Sequence, residues 1–64
     1  MTAPVEPMVA LMTTSEVAAL LKVNRSTLSR WRSLGIGPRV IWLSPSIPRY
    51  QYADVVAWLR RAAA

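Results

Sequence analysis

Two helix-start signals lie close together between Thr13 and Arg32, leaving room for a short helix, a tight turn and a second helix. Thr13 and Glu16 fit a T-x-x-E capping box, in which hydroxyl and carboxylate each satisfy a backbone N–H that the helix leaves free. Thr14 serves equally well as the cap, with Ser15 and Glu16 in the first turn. Val17, Leu20 and Leu21, with Ala18 beside them, then form an apolar stripe. Lys22-Val23-Asn24 ends that helix, with Val23 as an inward plug and Asn24 as the N-cap of the next. In the second helix Leu28, Trp31 and Leu34 share one face, while Arg25, Ser26, Ser29, Arg30 and Ser33 take the other. A helix buried by one stripe presents the other to a partner or to water.

The chain has 64 residues, so it is read as one domain whose folding buries only about 60% of the surface the unfolded chain exposes. It contains neither cysteine nor histidine, which removes disulfides and the commonest zinc ligands as staples for so small a fold. Packing must hold it together. Its net charge is +5, and arginine supplies every basic residue except Lys22. A guanidinium stays charged and grips paired oxygens as a fork, so this balance suits phosphate and guanine contacts.

Residues 1–10, with Pro4 and Pro7 among small residues, read as a flexible N-terminal arm, and residues 11–64 as a single domain. Leu11 and Met12 precede the first cap, where apolar side chains pack back on the helix. After the second helix, Gly35 is placed to be a left-handed C-cap, and Gly35-Ile36-Gly37-Pro38 stops the helix. Arg39-Val40-Ile41-Trp42-Leu43 is β-prone, and Ser44-Pro45-Ser46-Ile47-Pro48 links it to Arg49-Tyr50. This predicts a small hairpin with two prolines in its tip, which argue against further strand. A third helix is predicted over 52–61, with Val55, Trp58 and Leu59 inward, Asp54 in its first turn and Arg60 and Arg61 in its last, complementing the dipole. The closing alanines extend or fray it, and no heptad pattern follows to make a coiled-coil dimer. The fold class is therefore mainly α, three helices with a small β-hairpin wing.

The pattern Leu11-x-Thr13-Thr14-x-Glu16-Val17-Ala18-x-Leu20-Leu21-x-Val23, then Arg25-Ser26-Thr27-Leu28-x-Arg30-Trp31, resembles the excisionase and AlpA-like family of DNA-binding proteins. Arg49-Tyr50 and Asp54-Val55-x-Ala57-Trp58-Leu59 look like that family's closing segment. The resemblance implies a MerR-type winged helix-turn-helix, with the second helix in the major groove and the wing on the adjacent minor groove or backbone. It assigns Arg25, Ser26, Thr27, Ser29 and Arg30 to the groove-facing part of the recognition helix, and Arg49 to the foot of the wing. Glycine and arginine are usual at the family's wing tip, whereas this chain has Ser44-Pro45-Ser46-Ile47-Pro48. Trp42 also stands where a polar or basic outward residue is usual; it is read either as exposed toward a partner or as packed against the sheet.

Among these residues, Arg25 and Arg30 are the expected base-edge or phosphate contacts, and Ser26, Thr27 and Ser29 are expected to bond to phosphate or to support the helix terminus. Lys22, Arg32, Arg39, Ser46 and Arg49 form the flanking and wing set, although packing Arg32 over Trp31 is a second reading for that side chain. Trp31 and Trp58 fall on helical stripes and are expected in the core. Three scattered carboxylates without histidine or cysteine give no partnered acid, base or nucleophile, so a non-enzyme without metal or cofactor is expected. The expected partner is double-stranded DNA, with further protomers on adjacent sites and a phage or mobile-element integrase. Neither a small-molecule ligand nor a membrane is expected, and the expected location is cytoplasmic. As a function, the resemblance implies an excisionase, or recombination directionality factor; a small promoter-binding regulator of the same fold is the alternative, and a protein-interaction module a distant one.

Overall fold

The computed structural model describes residues 11–63; the expected N-terminal arm lies outside them. In chain order the elements are β1 (Leu11–Met12), α1 (Thr14–Leu21), α2 (Arg25–Leu34), β2 (Ile41–Ser44), β3 (Ile47–Gln51) and α3 (Tyr52–Ala63). Three helices surround a small antiparallel sheet of strand order β1-β3-β2, the architecture of a winged helix-turn-helix.

The first helix begins at the capping box. Thr13 is the N-cap: its Oγ1 accepts from the Glu16 N–H at 3.1 Å, and Glu16 Oε1 accepts from the Thr13 N–H at 2.8 Å. At about 3.6 residues per turn, Thr14, Val17, Ala18 and Leu21 share the inward stripe, and the first three are buried. Leu20, expected inside, falls to one side of that stripe and is exposed. Lys22 closes the helix in the left-handed region at φ 60°, and the N–H of Val23 donates to Ala18 O at 3.0 Å. Val23 packs against the core as the plug of the turn.

Asn24 occupies the N-cap position of α2, and its carbonyl accepts from Thr27 and Leu28. The N-cap expected at Asn24 thus holds by position and backbone, while its side chain makes no capping bond. Leu28 is buried and Trp31 half-buried, but Leu34 is 65% exposed, because the last turn of α2 runs past the core. Trp31 instead packs on Trp58 of α3, with ring centroids 5.5 Å apart and planes tilted by 44°. Leu59, the third residue of the expected inward face of α3, is exposed. The fully buried side chains are Val17, Leu28, Tyr50 and Val55, so both helices of the pair, the central strand and α3 all reach one small core.

The hairpin differs from the sequence reading in three ways. Leu11 and Met12 form a third strand, pairing with Gln51 and Tyr50, instead of packing as a loop beside the cap. The turn is only Pro45 and Ser46, so Ile47 and Pro48 belong to β3 and not to the tip. Arg39 and Val40 precede β2 and do not pair in it. Pro48 is tolerated in the middle strand because β1 reaches only as far as Tyr50, leaving no ladder on that side that requires its missing donor. A register shift between Trp42 and Ser44 places a bulge at Leu43, which adds local twist to the wing.

Gly35 (φ 76°) and Gly37 (φ 87°) both require the left-handed region, yet their surroundings differ. A Cβ at Gly35 would meet nothing within 4 Å, whereas one at Gly37 would stand 3.2 Å from Trp31 Cβ. Gly35→Ala should therefore cost only the conformational strain, about 1 kcal/mol. Gly37→Ala should cost clearly more, about 2–3 kcal/mol, because Trp31 must also shift. Urea unfolding of the two variants checks the order, and equal losses would contradict it.

Candidate nucleic-acid interface

The folded α2 divides its polar residues into two sets. Ser26, Arg30 and Ser33, spaced along one ridge, are exposed on the side away from the core. Arg25, Ser29 and Arg32 instead line a cleft of about 280 Å³ beside the wing. The start of α1 forms a second wall of this cleft with Thr13, Thr14 and Ser15. The wing forms the third, with Ser46, Pro48 and Arg49. Three arginines from two elements thus line one space, and no carboxylate lines it.

Arg32 sets the geometry of this cleft. Its Nη1 donates to Thr14 Oγ1 at 3.3 Å and to Tyr50 Oη at 3.1 Å, so one nitrogen joins the start of α1 to the central strand. Its guanidinium carbon also lies 5.5 Å from the ring centroid of Trp42. That is cation–π range. The charged head covers Trp42, which remains half-exposed. Arg49 is held differently, donating from Nη1 to Pro48 O at 2.8 Å, which folds it back along its own strand.

Of the ten residues singled out from the sequence, Arg25, Ser29, Arg32, Ser46 and Arg49 come together around the cleft. Ser26 and Arg30 sit on the exposed ridge, and Thr27 is half-buried on the flank of α2. Lys22 is exposed at the inter-helix turn, and Arg39 is exposed in the link before β2. Neither lines the cleft. Sequence reasoning missed Thr13, Thr14 and Ser15. Their hydroxyls read as capping residues, and only the pairing of β3 with β1 and β2 brings the wing up against them.

The arrangement can bind an extended polyanion on two levels: an outward ridge able to reach base edges, and a recessed cationic cleft able to hold backbone oxygens. The family model for a helix-turn-helix domain matches residues 11–63. The chain belongs to that family. Double-stranded DNA binding comes with this helix-turn-helix domain, and the ridge on α2 is its second, exposed helix. No curated protein and no solved structure shows significant similarity to the chain.

Arg32→Leu should lower stability by about 1–3 kcal/mol, since it leaves buried Tyr50 Oη without its donor. Arg30→Ala, on the exposed ridge, should stay within about 0.5 kcal/mol of the parent. Chemical denaturation of both measures the contrast, and a silent Arg32 variant would remove that residue from its structural role.

Proposed function

We propose that this helix-turn-helix domain binds double-stranded DNA sequence-specifically and acts as an excisionase, assisting an integrase of a phage or mobile element in excision. One observation carries the binding mode: the exposed ridge of Ser26, Arg30 and Ser33 adjoins a cleft that α2 shares with the wing. A helix laid in the major groove would set the ridge against base edges while the cleft meets the sugar–phosphate backbone alongside. Arg30 is the residue for a bidentate guanine contact, which discriminates by about 1–3 kcal/mol.

The excisionase role is supported by the resemblance of the paired helices and of the closing segment to that family. In such a role several copies on adjacent sites raise occupancy and curve the DNA, so that a larger recombination complex assembles. We infer no catalytic activity, because the three carboxylates lie on separate segments and no histidine or cysteine accompanies them. No helix among the described residues is long and apolar enough to cross a membrane.

Affinity for a cognate duplex should fall with salt at a slope of about −0.9 per phosphate neutralised. Arg30→Ala should relax discrimination between cognate and altered duplexes far more than Arg61→Ala does, as read by fluorescence anisotropy. Recombination of attL with attR by a cognate integrase, with and without the protein, tests the role. Stimulation supports the excisionase, whereas repression of a promoter without stimulation assigns the same domain to regulation.

A further inference from the structure

We propose that the cleft between α1, α2 and the wing is a one-to-one oxyanion site for a single phosphate group, and that filling it fastens the wing to the helix pair. The inference rests on the DNA-binding reading and deepens it by giving one backbone phosphate a fixed seat and a structural task. Arg25, Arg32 and Arg49 line the same cleft, and no lining residue is acidic. Like charges that line one cleft repel one another, a cost that falls when an anion sits among them.

Arg32 shows the imbalance most directly. It is half-buried, its hydrogen bonds among the described residues go to neutral hydroxyls, and those bonds engage Nη1 alone. Its remaining guanidinium donors have no partner among the described residues. The walls come from three directions, α1 with Ser15, α2 with Arg25 and Ser29, and the wing with Arg49. That favours a tetrahedral oxyanion, whose acceptors diverge, over a flat carboxylate, which matches a single fork. Both helices begin near the cleft, at Thr14 and Arg25, and Asn24 leaves the first turn of α2 without a side-chain cap. The uncapped N–H groups at the start of α2 add to the same positive field.

An occupant bridging Arg25 of α2 and Arg49 of the wing links two elements that otherwise meet at this wall through the single guanidinium of Arg32. The test titrates the full chain with inorganic phosphate, without DNA, against sodium chloride at equal ionic strength. Amide NMR shifts at Ser15, Ser29 and Ser46 should saturate as one site, accompanied by a rise in Tm. Phosphate also stabilises proteins generally by exclusion from their surface, so Arg25→Gln and Arg49→Gln provide the comparison. In both, the midpoint of the saturable component should move to about tenfold higher phosphate, whereas Arg61→Gln on α3 should leave it in place.

A second arm places one neutral methylphosphonate at each position of a bound duplex in turn. One position should weaken wild-type binding about tenfold and have little further effect on Arg49→Gln. Linear, unsaturated shifts that are equal in all variants would overturn the site. Duplex binding with no position coupled to Arg49 would overturn the backbone clamp while leaving DNA recognition intact. Failure to bind any duplex, alongside saturable phosphate binding, would instead overturn the DNA reading and support the oxyanion site by itself.

Discussion

Arg32 joins parts of the fold that the apolar core alone would relate only loosely. From one nitrogen it donates to Thr14 at the start of α1 and to Tyr50 in the central strand, and its charged head lies over Trp42 in the wing. The core cluster it borders is small, built among the described residues on buried Val17, Ala18, Leu28, Tyr50 and Val55. With so little buried, orientation between helices and wing must come partly from directional contacts, since hydrophobic burial is non-directional. Lysine would not substitute fully: its ammonium has donors enough for the two hydroxyls, but it lacks the planar guanidinium that stacks on the Trp42 ring.

The same arginine explains why α2 presents two polar surfaces in place of one. By turning toward Thr14 and Tyr50, it draws the side of α2 bearing Arg25 and Ser29 against the wing and the start of α1. Ser26, Arg30 and Ser33 are left facing outward. In the proposed binding mode this separates positioning contacts from reading contacts, which is physically useful because phosphate contacts fix register without carrying sequence information. Trp31, packed against Trp58 and closely approached by Gly37, holds the far end of the helix so that the ridge keeps a fixed angle to the cleft.

The helix pair was legible in the sequence because its signals are local. The Thr13–Glu16 box, the Lys22-Val23-Asn24 turn and the Gly35 stop act through neighbouring backbone, and all lie where the pattern put them. Leu20, Leu34 and Leu59 were misjudged because hydrophobicity does not say how far a small core extends. The third strand was hidden for another reason: Leu11 and Met12 carry no strand signal of their own and are paired only because β3 offers them an edge. The cleft was half visible. Its arginines stood out as charges, but the division of α2 into ridge and wall depends on the wing, whose position no spacing along the chain encodes.

The wing itself limits what one copy of this domain can do on DNA. Its tip is Pro45-Ser46, flanked by exposed Leu43 and Ile47, so its charge is concentrated at Arg49 near the base of the hairpin. A neutral tip releases no counterions, and the sequence-independent affinity therefore comes from α2 and the cleft. In the proposed binding mode the exposed ridge offers one arginine, which would give about 1–3 kcal/mol of discrimination against a wrong base. Specific recognition generally needs about 4–10 kcal/mol over non-specific binding. If Arg30 alone reads bases in the proposed binding mode, a single domain would fall short of site selection by its own contacts, and the deficit is of the size that a second adjacent copy or a larger DNA-bound partner would supply through effective concentration.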